Sequence, residues 1–531
     1  MADELAQIAE DSVRGGFFLI SGTAVSTVIM AIASIVIARL LGPELYGQYT
    51  LALVVPSLLF LFTDLGINQG IIKFTASLRA EGETSRLARI VKYGMLLKVS
   101  VGVAIFIINY TLAGWFAVAF LQRPDLIFYI QIASISVVFQ VIFTTATSAF
   151  VGFDKAEYSA ITSNIQALAK AIISIALVLV GFSVAGALLG HVAGYVVAAG
   201  AGGVMLSFLV HEKQNIENNH SLVDDLKNLM LYGAPLFISL VLTGFIPLYQ
   251  NIILAMFTTD SDIGNYKAAT NFATLITILA IPISTALLPA FSKIDSSAKN
   301  TIKRFFRLAN KYTTIVILPV AALIIIFSND IVQIIYGSTY RTAPLFLMMY
   351  SLLYLLVGLG YLTLVSFYNG LGETKATLKM SLITVLLVAV SSPLLTMNYG
   401  VPGLIIAFLV ASGAGNAYGS YTARVNHEIG FDNRSISRIY LISLFSSVFP
   451  LSLLQFSPLS KLFNVTIGAL LYLLAFATLI PLAGVINHSE LQTATQVLQK
   501  IRSLAPIVNP LLKYEKRILD LQKKHKKPKL E

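Results

Sequence analysis

Cysteine is absent from this 531-residue chain, tryptophan occurs once, and charged residues make up only 12% of it. Without cysteine there is no disulfide framework and no thiolate metal site, and the sequence carries no mark of a redox compartment. A charged fraction near half the roughly 25% of a soluble domain cannot keep a whole surface wetted. The chain has no Gly-rich loop ending in Gly-Lys-Ser/Thr, which argues against ATP hydrolysis, and no His-Glu-x-x-His or Gly-x-Ser-x-Gly. Also missing is a basic cluster beside aromatic residues in a soluble domain, the footprint of nucleic-acid binding. The first residues are acidic (Asp3, Glu4, Glu10, Asp11) rather than basic, so no cleavable signal peptide is expected.

What the chain does have is apolar length. Hydrophobic residues make up 56% and the mean hydropathy is +0.79. A helix needs about 20 apolar residues to cross the hydrocarbon core. Runs of that kind fall near 15–41, 45–65, 93–120, 126–151, 158–181, 184–209, 229–258, 263–290, 305–327, 342–368, 376–397, 402–424, 436–457 and 461–486. Their length and their Leu, Ile and Ala content imply helices, since membrane strands are about ten residues long with alternating polarity. The expected fold is therefore an all-α polytopic membrane protein of 14 transmembrane helices.

Basic residues set the orientation. With the N-terminus in the cytoplasm, 19 Lys and Arg fall in inward connections (Arg79, Arg86, Lys303 and Arg307 among them) and five at outward ends (Arg39, Arg123, Lys267, Arg341, Lys461). The +11 net charge is thus mostly a topology signal, with a multi-pass protein in the cell membrane and both termini cytoplasmic.

Two halves echo each other about 217 residues apart. Tyr46-Gly47-Gln48-Tyr49 matches Ile263-Gly264-Asn265-Tyr266, and Val184-Ala185-Gly186 matches Val401-Pro402-Gly403. Lys92-Tyr93 resembles Lys311-Tyr312, Arg123 resembles Arg341, and Phe150-Val151-Gly152 resembles Tyr368-Asn369-Gly370. Six helices per repeat is an even number, so both halves enter the membrane in the same sense, the parallel-repeat plan of transporters. The organisation expected is a cytoplasmic segment 1–14, a six-helix lobe 15–209, a cytoplasmic linker 210–228, a second lobe 229–424, two appended helices 425–486 and a basic cytoplasmic tail 487–531. In the tail, an amphipathic pattern (Leu498, Ile501, Leu504) precedes Lys523 to Lys529, a composition suited to anionic lipid.

Charges inside apolar spans cost roughly 2.5–3.5 kcal/mol each, so those present face a wet cavity or a partner. Arg39, Asp64, Lys98, Lys170 and Lys267 are of this kind, accompanied by Asn68, Gln250, Asn251 and Asn271; together they are the predicted lining of a cationic cavity. Arg39, Lys267 and Asp64 map to Met256, Thr50 and Ile281 at the repeat offset, so the shared scaffold does not require them. His191 lies in Gly186-x-x-x-Gly190-x-x-x-Gly194, a close-packing stripe that suits a packing histidine better than a proton relay. Asp260-Ser261-Asp262 reads either as a metal-binding pair or, in better accord with acids at helix N-termini, as a polar turn. Pro235, Pro247, Pro282 and Pro289 mark candidate kinks in the first helix pair of the second half. Neither a metal site nor a cofactor is expected.

The stretch Ile37-Ala38-Arg39-Leu40-Leu41-Gly42-Pro43-Glu44-Leu45-Tyr46-Gly47-Gln48-Tyr49, followed by Thr63-Asp64-Leu65-Gly66-Ile67, resembles the start of the prokaryotic polysaccharide biosynthesis exporters, the Wzx-type flippases. Their superfamily includes multidrug and toxin extruders and the lipid II flippase. Gly370-Leu371-Gly372-Glu373-Thr374-Lys375 resembles the family's connection between spans 10 and 11, and the likeness covers residues 10–485. The resemblance implies two six-helix lobes forming a V around a cationic cavity. It also implies a polyprenyl- or dolichyl-diphosphate oligosaccharide as cargo, moved from the inner to the outer leaflet, with glycan-assembly enzymes as partners. Arg39 matches the family motif directly. A fixed positive charge in a low-dielectric cleft suits a diphosphate. Two other readings stay open: a cation antiporter, which would want a buried carboxylate in spans 1 or 7, and a membrane-embedded glycan ligase or polymerase, which would want a sizeable outer loop.

Overall fold

The computed structural model describes residues 2–211, 222–273, 275–292, 294, 299–487, 490 and 514–520. The centre of the predicted linker and nearly all of the tail, with its amphipathic and lysine-rich stretches, lie outside the described residues. Every element described is helical. The first half contains α1 (Ala2–Ala52), α2 (Val54–Phe60), α3 (Ile67–Ala80), α4 (Thr84–Thr111), α5 (Ile127–Gly152), α6 (Ala156–Leu177) and α7 (Ser183–His211). The second contains α8 (Leu222–Phe257), α9 (Asp260–Ala273), α10 (Leu275–Ser292), α11 (Lys299–Ile326), α12 (Ser328–Ile335), α13 (Ala343–Ser351), α14 (Thr363–Gly370) and α15 (Thr374–His427). The last three are α16 (Asn433–Ser446), α17 (Val448–Phe456) and α18 (Lys461–Leu482).

Among the described residues, eight helical runs are long and apolar enough to cross a bilayer, or nine with the pair Ala343–Leu359 and Thr363–Gly370, bent by 48°, taken as one. Large apolar side chains project from their surfaces, such as Val180 (75% exposed) and Phe456 (76%). Water would not tolerate such a surface; lipid does. The protein is a multi-pass membrane protein. Three runs are 43, 55 and 54 residues long, at least twice a crossing, and each leaves helical backbone geometry at a glycine: Gly42, Gly181 and Gly400. By contrast, the helical run of α8 is continuous across Pro235 and Pro247.

The chain folds as two compact units. The first comprises Met1–Phe272, Ile335–Ala343 and Val385–Phe408. In it α6 packs against α1 and α7, while α5 bridges α7 and α4. The predicted glycine stripe of α7 does pack closely: Gly190 faces Ser174 of α6, and a Cβ on Gly194 would stand 2.7 Å from Lys170 Cβ. Ile67, Ile71, Leu87, Ile90, Phe150 and Leu229 form a buried cluster.

The second unit comprises Ala273–Ile334, Pro344–Thr384 and Leu409–Glu531. Its core is aromatic, with the Phe367 ring 5.4 Å from Phe291 and 5.3 Å from Phe306. An apolar groove of about 680 Å³ lies among α16, α17 and α18, with Leu441, Phe445, Phe449 and Leu479 in its wall and Arg438 at its edge.

Repeat markers recur as backbone geometry. After α5, Phe153, Asp154 and Lys155 donate N–H bonds to Ala149, Val151 and Phe150; after α14, Leu371, Gly372 and Glu373 do the same to Phe367, Asn369 and Tyr368. The middle residue is left-handed in each turn (Asp154 φ 54°, Gly372 φ 79°). Ser183 (φ 50°, ψ −130°) and Gly400 (φ 60°, ψ −143°), 217 residues apart, share an unusual conformation. Gly47 lies against the Asp260 carbonyl and its counterpart Gly264 against that of Pro43, itself the counterpart of Asp260. Reciprocal contact of this kind is what a two-fold relation between like surfaces produces.

Candidate functional site

That reciprocal glycine contact sets α9 against α1 inside the first unit. Asn271 of α9 reaches α1 through Nδ2, which donates to Ser34 Oγ (2.7 Å) and Tyr46 Oη (2.9 Å), while those two hydroxyls bond each other at 2.7 Å. Lys267 stands one turn before Asn271, on the same helix face. From the other side comes Lys170 of α6, fixed where its stem meets Gly194 of α7. The charge of Lys267 reaches Lys170, and that of Lys170 reaches His191. His191 stacks edge-on to Tyr195 at 5.1 Å, its Nδ1 buried without a partner among the described residues. Tyr195 in turn neighbours Tyr49.

No acid neutralises these lysines: among the described residues neither Lys170 nor Lys267 forms an ion pair. Both are half-buried. These are positive and polar groups, with Gln166 one turn before Lys170 and its Nε2 unbonded among the described residues. Such a cluster holds charge ready for an anion.

Three other predicted residues come together elsewhere. Lys98, fully buried on α4, donates to Asp64 Oδ1 (3.0 Å) and Asn68 Oδ1 (2.7 Å). Asp64 also accepts from the Asn68 backbone N–H at 3.2 Å. This pair is closed on itself, and its charge is spent locally. Gln250 is buried on α8 and accepts from Tyr266 Oη at 3.4 Å. Asn251 is half-buried, and its side chain makes no hydrogen bond among the described residues. Arg39 is exposed on α1, three residues before the break at Gly42.

Asp260-Ser261-Asp262 opens α9 as a polar turn. Asp260 takes Arg123 Nε at 2.8 Å, and Arg123 also donates to the Thr258 carbonyl at 2.7 Å. At the opposite end of this helix pair, Asp225 in the first turn of α8 is held by Arg86 (2.8 Å) and Arg89 (2.9 Å). No group of three or more metal-ligating side chains occurs among the described residues. Sequence reasoning overlooked Ser34, Tyr46, Tyr49, Gln166 and Tyr195 as site neighbours. The signal available was position: Tyr46 and Tyr49 sit in the repeat motif, and Gln166 is one turn from Lys170.

The helices define a polytopic membrane protein with an unneutralised basic cluster in its interior. The family model for polysaccharide biosynthesis proteins matches residues 12–295, over half of the sequence, and the chain belongs to that family. No curated protein gives a significant match. Among solved structures, the fold is similar to that of a lipid II flippase MurJ in an inward closed conformation (TM-score 0.69, 17% identity, 88% of this chain and 99% of that one). It is also similar to an inward-facing multidrug resistance MATE family transporter of the MOP superfamily (0.60, 14%, 76% and 94%). A third likeness is to a MOP superfamily transporter from Pyrococcus furiosus, described by the reverse polarity of its binding pocket (0.53, 15%, 79% and 95%).

Proposed function

We propose that this protein is a flippase that carries a polyprenyl- or dolichyl-diphosphate-linked oligosaccharide from the inner to the outer leaflet by alternating access, for cell-surface polysaccharide synthesis. The observation that carries this reading is that Lys170 and Lys267, both half-buried in predicted spans, have no carboxylate partner among the described residues. Two fixed cations in a low-dielectric interior attract a diphosphate and repel a cationic drug. Arg39, Asn271, Gln250 and Asn251 are assigned to the same path. Asp64, Asn68 and Lys98 border it as a self-satisfied clasp. The apolar groove of the second unit is of a polarity suited to an isoprenoid chain.

The antiporter alternative needs a free acid at membrane depth. In the first unit Asp64 is the acid so placed, and Lys98 occupies it at 3.0 Å. That leaves the anionic cargo favoured. The lobes are assigned as 15–209 and 229–424, with 425–486 appended and both termini cytoplasmic. Counting each of the three broken runs as two crossings, each of the five unbroken runs and the bent pair as one, and assigning one each to α8 and α9–α10, is consistent with the expected fourteen.

Deleting the gene should trap lipid-linked glycan on the cytoplasmic leaflet, read by its protection from an impermeant glycosidase. In complemented cells, Lys170→Gln/Lys267→Gln should lower translocation about tenfold or more at unchanged membrane abundance, and Lys267→Glu further, because each lost charge-assisted contact is worth ~1.5–3 kcal/mol. An unaltered leaflet distribution after deletion refutes the flippase. Normal transport by the double variant refutes the site alone.

A further inference from the structure

The second unit holds a basic pocket of its own. Lys303, Arg304, Arg307 and Lys311 lie on successive turns at the start of α11 and, with Asp432 and Glu490, line a cavity of about 310 Å³. Like charges three and four residues apart on one helix repel. Membrane orientation requires basic residues in an inward connection, but not that they converge on a concavity.

Their partners do not exhaust them. Lys303 Nζ donates to Glu428 at 2.7 Å, and Lys311 Nζ to Glu490 (2.7 Å) and the Val485 carbonyl (3.1 Å). Arg307 spends only Nε, on the Gly430 carbonyl at 3.0 Å, and its two terminal nitrogens make no bond among the described residues. Arg304 is exposed and has no partner among the described residues. Asp432 is already engaged, for both its oxygens accept from Ser435, at 3.1 and 2.6 Å. Burial works to raise its pKa, yet the Ser435 bonds and the field of Lys311 and Arg307 hold it below the usual value. The hydrogen bond from Lys303, with the charges of Lys303 and Lys299, does the same to Glu428.

Two guanidinium groups with open terminal nitrogens match a phosphate, whose oxygens accept in parallel pairs. The pocket lies where α11 is still polar, before its apolar stretch from Thr313 onward, which is headgroup depth for a spanning helix. We propose that Arg304 and Arg307 form a phosphate-binding site at the start of α11, taking either the headgroup of an anionic lipid in the same leaflet or a soluble phosphate. This assignment stands whether or not the cargo is a lipid-linked glycan.

The test uses the full-length protein in neutral detergent and native mass spectrometry, with phosphatidylglycerol and inorganic diphosphate as separate probes. Arg304→Gln/Arg307→Gln should retain about tenfold less of the bound probe, as expected from loss of charge-assisted contacts. Both side chains are exposed, and thermal unfolding of the variant checks that losing the Arg307–Gly430 bond leaves the fold intact. Lys375→Gln/Lys379→Gln removes the same charge from another inward connection and should change retention less than about twofold. Retention of phosphatidylglycerol that diphosphate does not displace identifies a lipid as the source. Retention of diphosphate alone identifies a soluble phosphate. If wild type retains neither probe, or if both double variants lose retention equally, there is no site at Arg304 and Arg307.

Discussion

Lys98 is at home in an apolar helix because Asp64 and Asn68 give its ammonium two oxygens at hydrogen-bond distance. Removing one partner of a buried pair is worse than removing both, since the survivor is left charged in a poor solvent. Asp64→Asn should therefore lower stability by about 3–5 kcal/mol. Asp64→Asn with Lys98→Met should recover most of it, measured by thermal unfolding in detergent. A single variant as stable as wild type would mean that the pair carries no structural charge. Hydropathy singled out Lys98, Lys170 and Lys267 because each interrupts an apolar run. It could not tell that the first is neutralised and the others are not, because Asp64 and Lys98 are 34 residues apart and meet only through helix packing. The residues around Lys170 were hidden for the same reason. Tyr195 and Gln166 are ordinary membrane-helix residues until α6 and α7 close over Gly194.

Helix length and repeat were more legible, since both rest on local pattern. The turns at 150–155 and 368–373 recur because the same backbone bonds close them, and the matched Gly-containing tripeptides announced that. Prolines were a poorer guide to where helices end. The long runs break at Gly42, Gly181 and Gly400, and the bend in the tenth predicted span falls at Gly360 (φ 87°) after the 3₁₀ turn Leu352–Leu359. A residue with free access to positive φ ends a helix without relying on neighbours to force it. Ser183 holds this geometry with a side chain, in a region nearly restricted to glycine. Ser183→Gly should raise stability by about 1 kcal/mol and Gly400→Ala lower it by about 1–3 kcal/mol. Thermal midpoints of the two variants check this, and shifts of the same sign would show that the shared backbone is not strained.

Over the entire molecule, charge asymmetry predicts a direction for every connection. The chain also lends itself to a direct check, because a protein without cysteine is its own labelling background. Glu81→Cys and Asp125→Cys both place a thiol at an exposed position. An impermeant maleimide applied to intact cells should modify the second and spare the first until the membrane is opened; the reverse pattern would invert the topology. Such an orientation puts the Gly47–Gly264 contact near the outer face. There the paired helices touch backbone to backbone, with no room for even a methyl group. A joint of that kind cannot slide; it can only turn. On the proposed transport reading it is the fulcrum of the α1–α9 pair, and the parts of each helix farthest from the contact travel most as the two rock.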